Sequence, residues 1–185
     1  MGFSTVFLGE GQGMSLISNF WTIHQSKLTE LLESSKPHEK KIGKPPILPF
    51  IKQKYETVYP WYEYLEANAQ KEIEYNYSGM VMTDFDLILR ESSSSIFDKA
   101  LPESDLYSGY CGGSAAIVNH EIAQNILDCI YKLSLSESDV VAFYDADEKP
   151  SEWRFKSADI LSTSEHVWCW LGKVTEEKLG ILVIG

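Results

Sequence analysis

The last eight residues, Lys178-Leu179-Gly180-Ile181-Leu182-Val183-Ile184-Gly185, contain no polar side chain between Leu179 and Ile184. A strand that faces water on one side alternates apolar with polar residues, whereas a strand covered on both sides does not need to. The run therefore predicts a buried central or near-central strand, with a sheet built around it. The chain has 185 residues, 44% of them apolar, which is enough for one domain with a substantial core and too apolar for a disordered chain. We read residues 1–185 as a single compact α+β domain, a mixed sheet packed with several helices.

Helix signals are clearest in the second half. Asn119 is a candidate N-cap for a helix over 121–133, where Ile122, Ile126, Cys129, Ile130 and Leu133 share a face. Ser136 with Asp139 three residues on resembles a capping box and opens a helix through Ala142. Thr163 or Ser164 is a candidate cap for a helix holding Val167, Trp168, Trp170 and Leu171. Earlier, Leu16, Ile17, Phe20, Trp21, His24, Leu28, Leu31 and Leu32 recur at spacings near 3.6 and predict a helix over 15–34, capped by Ser15. Residues 50–75 also read as helical, with Pro60 as a kink or a first-turn residue. Tyr55, Tyr59, Tyr62 and Leu65, beside Val58 and Trp61, form an aromatic stripe there. Residues 3–8 and 79–90 read as strands. The Lys- and Pro-rich stretch 36–49 reads as an exposed loop, 91–95 as a polar turn and 101–113 as irregular.

No apolar run approaches the roughly 20 residues that a bilayer crossing needs. The first residues lack the basic region and apolar core of a secretory signal, and Val6 stands where a myristoylation signal carries Ser or Thr. The expectation is a cytoplasmic protein with no membrane partner. Cys111, Cys129 and Cys169 are odd in number and form no Cys-x-x-Cys pair, so buried free thiols are expected rather than a disulfide framework or a zinc site.

The formal charge is −11 and lies unevenly along the chain. Residues 1–60 hold seven Lys and five Glu, a net +2; residues 61–185 hold nine Lys or Arg and twenty-two Asp or Glu, a net −13. Such a field repels phosphate backbones, which argues against nucleic acid, and it steers a basic protein toward the surface. Solubility alone accounts for acidity equally well.

Few motifs carry chemistry. Gly9, Gly11 and Gly13 sit where a phosphate loop would, but Met14 breaks the Gly-x-Gly-x-x-Gly spacing, and a tight turn is the simpler reading. Cys111, in Tyr110-Cys111-Gly112-Gly113-Ser114, and His120 are the candidate thiol nucleophile and base, although Glu103, Asp105 and Glu121 disfavour a thiolate. His24, His38, His120 and His166 form no close pair; His24 lies on an apolar face, and His166 with Cys169 supplies two ligands, too few for a metal site. Asp145, Asp147 and Glu148 lack the EF-hand spacing, so an acidic loop is expected rather than a calcium site. With Glu152 and Trp153 they make a candidate docking patch for Lys or Arg side chains. No cofactor and no metal are expected.

Roughly 65 residues of the second half resemble the YfbM-like family of small bacterial proteins. The similarity runs through Asn119-His120-Glu121-Ile122-Ala123, Leu135-Ser136-Glu137-Ser138-Asp139, Phe143-Tyr144-Asp145, Trp170-Leu171-Gly172-Lys173, Thr175-Glu176-Glu177 and the strand at 180–184. The family's Asp-Lys-x-Trp type middle segment is not visible. The resemblance implies a compact α+β domain without established catalytic residues. The expected function is an acidic protein-binding module, an immunity-type inhibitor of a basic toxin or enzyme. The alternatives are a small thiol hydrolase or transferase using Cys111 and His120, and an oligomerising structural protein with the 55–65 stripe as its interface.

Overall fold

The computed structural model describes residues 17–43 and 53–185. The strand expected at 3–8, the glycine turn at 9–13, the expected cap Ser15 with Leu16, residues 44–49 of the Lys- and Pro-rich stretch and the first three residues of the helix expected over 50–75 lie outside the described residues. The strands are β1 (Ser18–His24), β2 (His38–Ile42), β3 (Lys54–Val58), β4 (Gln70–Lys71), β5 (Ser114–Val118) and β6 (Lys178–Ile184). The helices are α1 (Leu28–Ser34), α2 (Trp61–Asn68), α3 (Gly79–Glu91), α4 (Ile96–Lys99), α5 (Glu103–Cys111), α6 (His120–Leu133), α7 (Glu137–Ala146) and α8 (Ser157–Leu171).

The terminal apolar run becomes β6, and it lies between β1 and β5 in a four-stranded sheet of order β4-β1-β6-β5. Every pairing in this sheet is antiparallel, so it is not the mixed sheet expected. The chain leaves β5 at Val118, passes through α6, α7 and α8, and re-enters the sheet beside the residue it left, with Val118 opposite Gly180.

Both faces of the sheet are covered. Phe20, Leu182, Ile184, Ala116 and Val118 point into a core shared with α3, α6, α7 and α8. Trp21, Ile23, Ile181, Val183 and Ile117 point into a second core shared with α1, α2 and α5. This double covering explains why β6 carries no polar alternation. Phe20 stacks on Trp170 of α8 at 5.3 Å between ring centroids, and the Trp170 indole N–H donates to the Ile73 carbonyl at 3.0 Å. Gly180 is required at the centre of this packing: a Cβ there would come within 2.5 Å of Phe20 Cζ and 2.8 Å of Val174 Cγ2.

The same double covering accounts for the first misreading. Residues 18–24 form a strand rather than part of a helix over 15–34, and only Leu28–Ser34 is α-helical. Phe20, Trp21 and Ile23 are buried on opposite faces, and such a run mimics helical spacing when Leu28 and Leu31 follow. His24 ends the strand exposed, rather than lying on a half-buried helix face. Part of the expected loop at 36–49 is β2, which pairs with β3 as a separate ribbon, Lys40 opposite Glu56. The described part of the helix expected over 50–75 holds β3, α2 and β4 in succession, with Pro60 as the residue before the first turn of α2. The expected strand at 79–90 is α3: Val81, Met82, Phe85, Ile88 and Leu89 are its buried stripe, and Ser78 caps it by accepting from the Met80 N–H. The stretch 101–113, expected to be irregular, holds α5.

The cap signals of the second half correspond to real helix starts. Asn119 Oδ1 accepts from the Ile122 N–H at 2.9 Å, and Ser136 with Asp139 forms a capping box on α7, which runs on to Ala146. Asp145 is accordingly in the last turn of α7 rather than in a loop. α8 starts at Ser157, six residues before the expected cap, and Thr163 is a buried interior residue bonded to the Tyr75 hydroxyl at 2.8 Å.

Candidate protein-binding surfaces

The predicted acidic patch occupies the end of α7 and the turn that follows it. Glu148 closes the helix with φ +49, a left-handed conformation that favours glycine, and the Lys149 N–H returns to the Tyr144 carbonyl at 3.2 Å. The turn is anchored from below. Asp84 of α3, buried, accepts from Lys149 Nζ at 2.6 Å and from the Tyr144 hydroxyl at 2.9 Å. Arg154 donates to the Lys149 carbonyl and to Asp145 Oδ1, both at 2.6 Å. The Lys149 amine also lies over the Tyr144 ring, 5.2 Å from its centroid.

This network divides the five expected contact residues. Asp145 is tied to Arg154 and is a structural partner as well as a surface charge. Asp147, Glu148 and Glu152 are exposed, and none of them is in an ion pair among the described residues. Trp153 stands beside them in a 3-10 turn, 69% exposed. Three carboxylates without a cation partner among the described residues, around a projecting indole on a turn anchored by the Lys149–Asp84 pair, can receive Lys or Arg side chains.

Cys111 and His120 are not brought together. Cys111 ends α5 before β5 begins; His120 starts α6 after β5 ends, and its Nδ1 lies 3.1 Å from the Val174 carbonyl oxygen. The whole of β5 separates them, on the order of 17 Å for five extended residues. Burial pushes the Cys111 thiol up to about 12, the opposite of what a nucleophile needs. At pH 8 only about one such thiol in ten thousand is ionised. Iodoacetamide at pH 8 should therefore label exposed Cys169 and spare Cys111 in the folded protein, as read by peptide mass spectrometry. Equal labelling of the two would contradict the burial assigned to Cys111. The three thiols are unpaired; Cys111 and Cys129 are half-buried, and Cys169 is on the surface, not buried as expected.

The aromatic stripe at 55–65 is split between elements. Leu65 is buried, Trp61 and Tyr62 pack edge-on against Trp21, and Tyr55 and Tyr59 are exposed on and beside the ribbon. His166 and Cys169 share α8 but diverge: His166 packs against Tyr75, Tyr77 and Trp170, whereas Cys169 faces solvent. Among the described residues no group of three His, Cys, Asp or Glu side chains is placed to hold a metal ion, and no helix is long and apolar enough to cross a membrane.

A second surface was not anticipated. α8 carries two stripes. Ile160, Thr163, Val167, Trp170 and Leu171 face the core, while Leu161, Glu165, Trp168 and Cys169 face outward. The outer stripe, the end of α6 with Ile130 and Tyr131, and Leu135 just beyond it enclose an open groove of about 690 Å³. Tyr131 is 76% exposed and Trp168 42%. The signal was present in the sequence as Leu161, Trp168 and Cys169 at i, i+7 and i+8, one helical face apart from Trp170. The cap expected at 163–164 hid it by starting the helix too late.

Comparisons with protein-family models, with curated proteins and with solved structures find no match. The YfbM-like similarity rests on the quoted motifs alone.

Proposed function

We propose that this chain is an acidic protein-binding module of the immunity type, which covers the basic surface of a partner protein in the cytoplasm. The observation that supports this most directly is the anchored turn bearing Asp147, Glu148 and Glu152, in no ion pair among the described residues, around exposed Trp153. It lies in a layer of consistent sign. Residues 119–172, which hold α6, α7 and α8, contain ten Asp or Glu and four Lys or Arg, a net −6. Two of the four cations, Lys149 and Arg154, are already spent on Asp84 and Asp145. The surface left over attracts cations at long range, and Trp153 supplies apolar contact once they arrive. The thiol-enzyme alternative draws nothing from the geometry, since Cys111 and His120 stand at opposite ends of β5.

Capture from native lysate with a tagged copy, at low and moderate salt, tests the reading first. One stoichiometric basic protein, released as salt rises, is the expected result; no partner at either salt would remove the proposal. The patch is then tested by kinetics. Reversal of both charges in Asp147→Lys and Glu148→Lys should slow association about tenfold and leave dissociation nearly unchanged. Asp145 is left intact because its reversal would also break the bond to Arg154. Unchanged association in the double variant would move the contact elsewhere.

A further inference from the structure

We propose that the groove between α6 and α8 seats an amphipathic, Lys- or Arg-bearing helix of the partner, an inference that rests on the partner being a basic protein. The walls decide the shape of the occupant. Apart from Ser134 and Leu135 just after α6, the walls are α-helix, so the groove offers no strand edge for β-augmentation. An occupant must bind through side chains, and a helix presents an apolar stripe of matching length. The floor and walls supply the apolar half: Ile130, Leu135 and Leu161 below, Tyr131 and Trp168 at the rim. Tyr and Trp exposed at a groove edge are the residue types that most often dominate binding energy.

Charge complementarity decides the sign. Glu165 is the charged residue lining the groove, no Lys or Arg lines it, and the layer around it carries the net −6. A neutral amphipathic helix would gain the apolar contact without the attraction, and an acidic one would be repelled.

Cys169 provides a reporter inside the groove, being the exposed thiol of the three. Two synthetic peptides of identical Leu and Lys composition serve as probes, one with Leu at i, i+3, i+4 and i+7, the other with the same residues scrambled. The amphipathic peptide should slow modification of Cys169 by a chromogenic disulfide about tenfold, with the site of modification read by mass spectrometry, and the scrambled one should not. Trp168→Ala, a surface substitution, should weaken the amphipathic peptide about tenfold in calorimetry while leaving the unfolding midpoint unchanged. Equal protection by both peptides, binding without protection, or full affinity in Trp168→Ala would each overturn the groove assignment. Protection that grows with protein concentration alone would assign the groove to a second copy and overturn it likewise. The captured partner separates the two proposals: if it binds and leaves Cys169 fully reactive, the groove fails while the acidic-module reading stands. If no basic partner is captured, the acidic-module reading itself fails.

Discussion

Replacing Asp84 by Ala should lower the unfolding free energy by about 3 kcal/mol, the low end of the cost of breaking a buried ion pair from one side. Asp84 is 3% exposed and is the acceptor for both Lys149 Nζ and the Tyr144 hydroxyl. Without it, an ammonium and a phenol are left inside with no acceptor. Lys149 retains 19% of its side-chain exposure and can turn partly toward water, which keeps the cost below the upper end of the range. Burial, followed by the bond to Asp84, pushes the Tyr144 phenol well above its ordinary value, so Tyr144 remains a hydrogen donor through the neutral range. Asp84→Asn keeps an acceptor for Tyr144 and loses only the charge, so it should cost about half as much. Urea titration of both variants measures this. The effect reaches the surface, because Lys149 and Arg154 position the turn that carries Asp147, Glu148 and Trp153. Amide exchange across 147–155 should rise in Asp84→Ala even below the urea transition. A loss under 1 kcal/mol with unchanged exchange would mean that the turn is held by something other than this pair.

Local signals that act within one or two turns of chain were legible in the sequence. Asn119 and Ser136 start the helices their side chains cap, because a cap is a bond between residues three apart and needs no tertiary partner. The terminal strand was legible because a strand buried on both faces leaves a short continuous apolar run, too short for a typical helix and rich in Ile and Val. What failed was period counting where tertiary structure buries both faces. Phe20, Trp21 and Ile23 satisfy a helical count only because the sheet has a core on each side. α3 was missed for the reverse reason, since Met80 and Leu87, off the core, filled in an apparent alternation. The same distinction governs the site. The acidic segment 145–153 could be read directly, but that Asp145 is paired and Asp147 is not depends on Arg154 folding back over the helix end. Long-range partners such as Asp84, sixty-five residues from Lys149, leave no periodic trace.

The charge asymmetry of the sequence also acquires a spatial meaning. The net −13 of residues 61–185 is shared between the two faces of the sheet: α6, α7 and α8, which pack on one face, lie in a segment of net −6, and residues 61–118, which include α2 and α5 on the other face, carry −7. The cations of the first half lie partly on the ribbon, at Lys40, Lys41 and Lys54. Negative charge thus lies on the helices of both cores, and the field draws a basic partner at long range without singling out one face.

Gly113→Ala should be nearly as destabilising as the loss of Asp84, about 2–4 kcal/mol. A Cβ at Gly113 would overlap the Ile184 carbonyl oxygen and press on Gly185 Cα at 3.1 Å. These are backbone atoms of the central strand, and they cannot turn aside as a side chain can. β5 and β6 would have to part at the Ser114–Ile184 pair, where the sheet connects both cores. Gly112 is the control. It has φ +69 as the left-handed end of α5, but its Cβ would meet open space. Gly112→Ala should cost only the backbone penalty, about 1 kcal/mol. The pair of variants separates two uses of glycine in one motif, a left-handed cap and a close approach of strands. It also bears on function. The Tyr110-Cys111-Gly112-Gly113-Ser114 sequence reads as a nucleophile loop only if its glycines are there to present amides to a substrate. If urea titration shows Gly113→Ala clearly worse than Gly112→Ala, while Cys111 stays unreactive in both, the glycines are explained by the sheet. If the two variants lose the same amount, the close approach at Ile184 does not constrain the strand pair, and Gly113 would need another explanation.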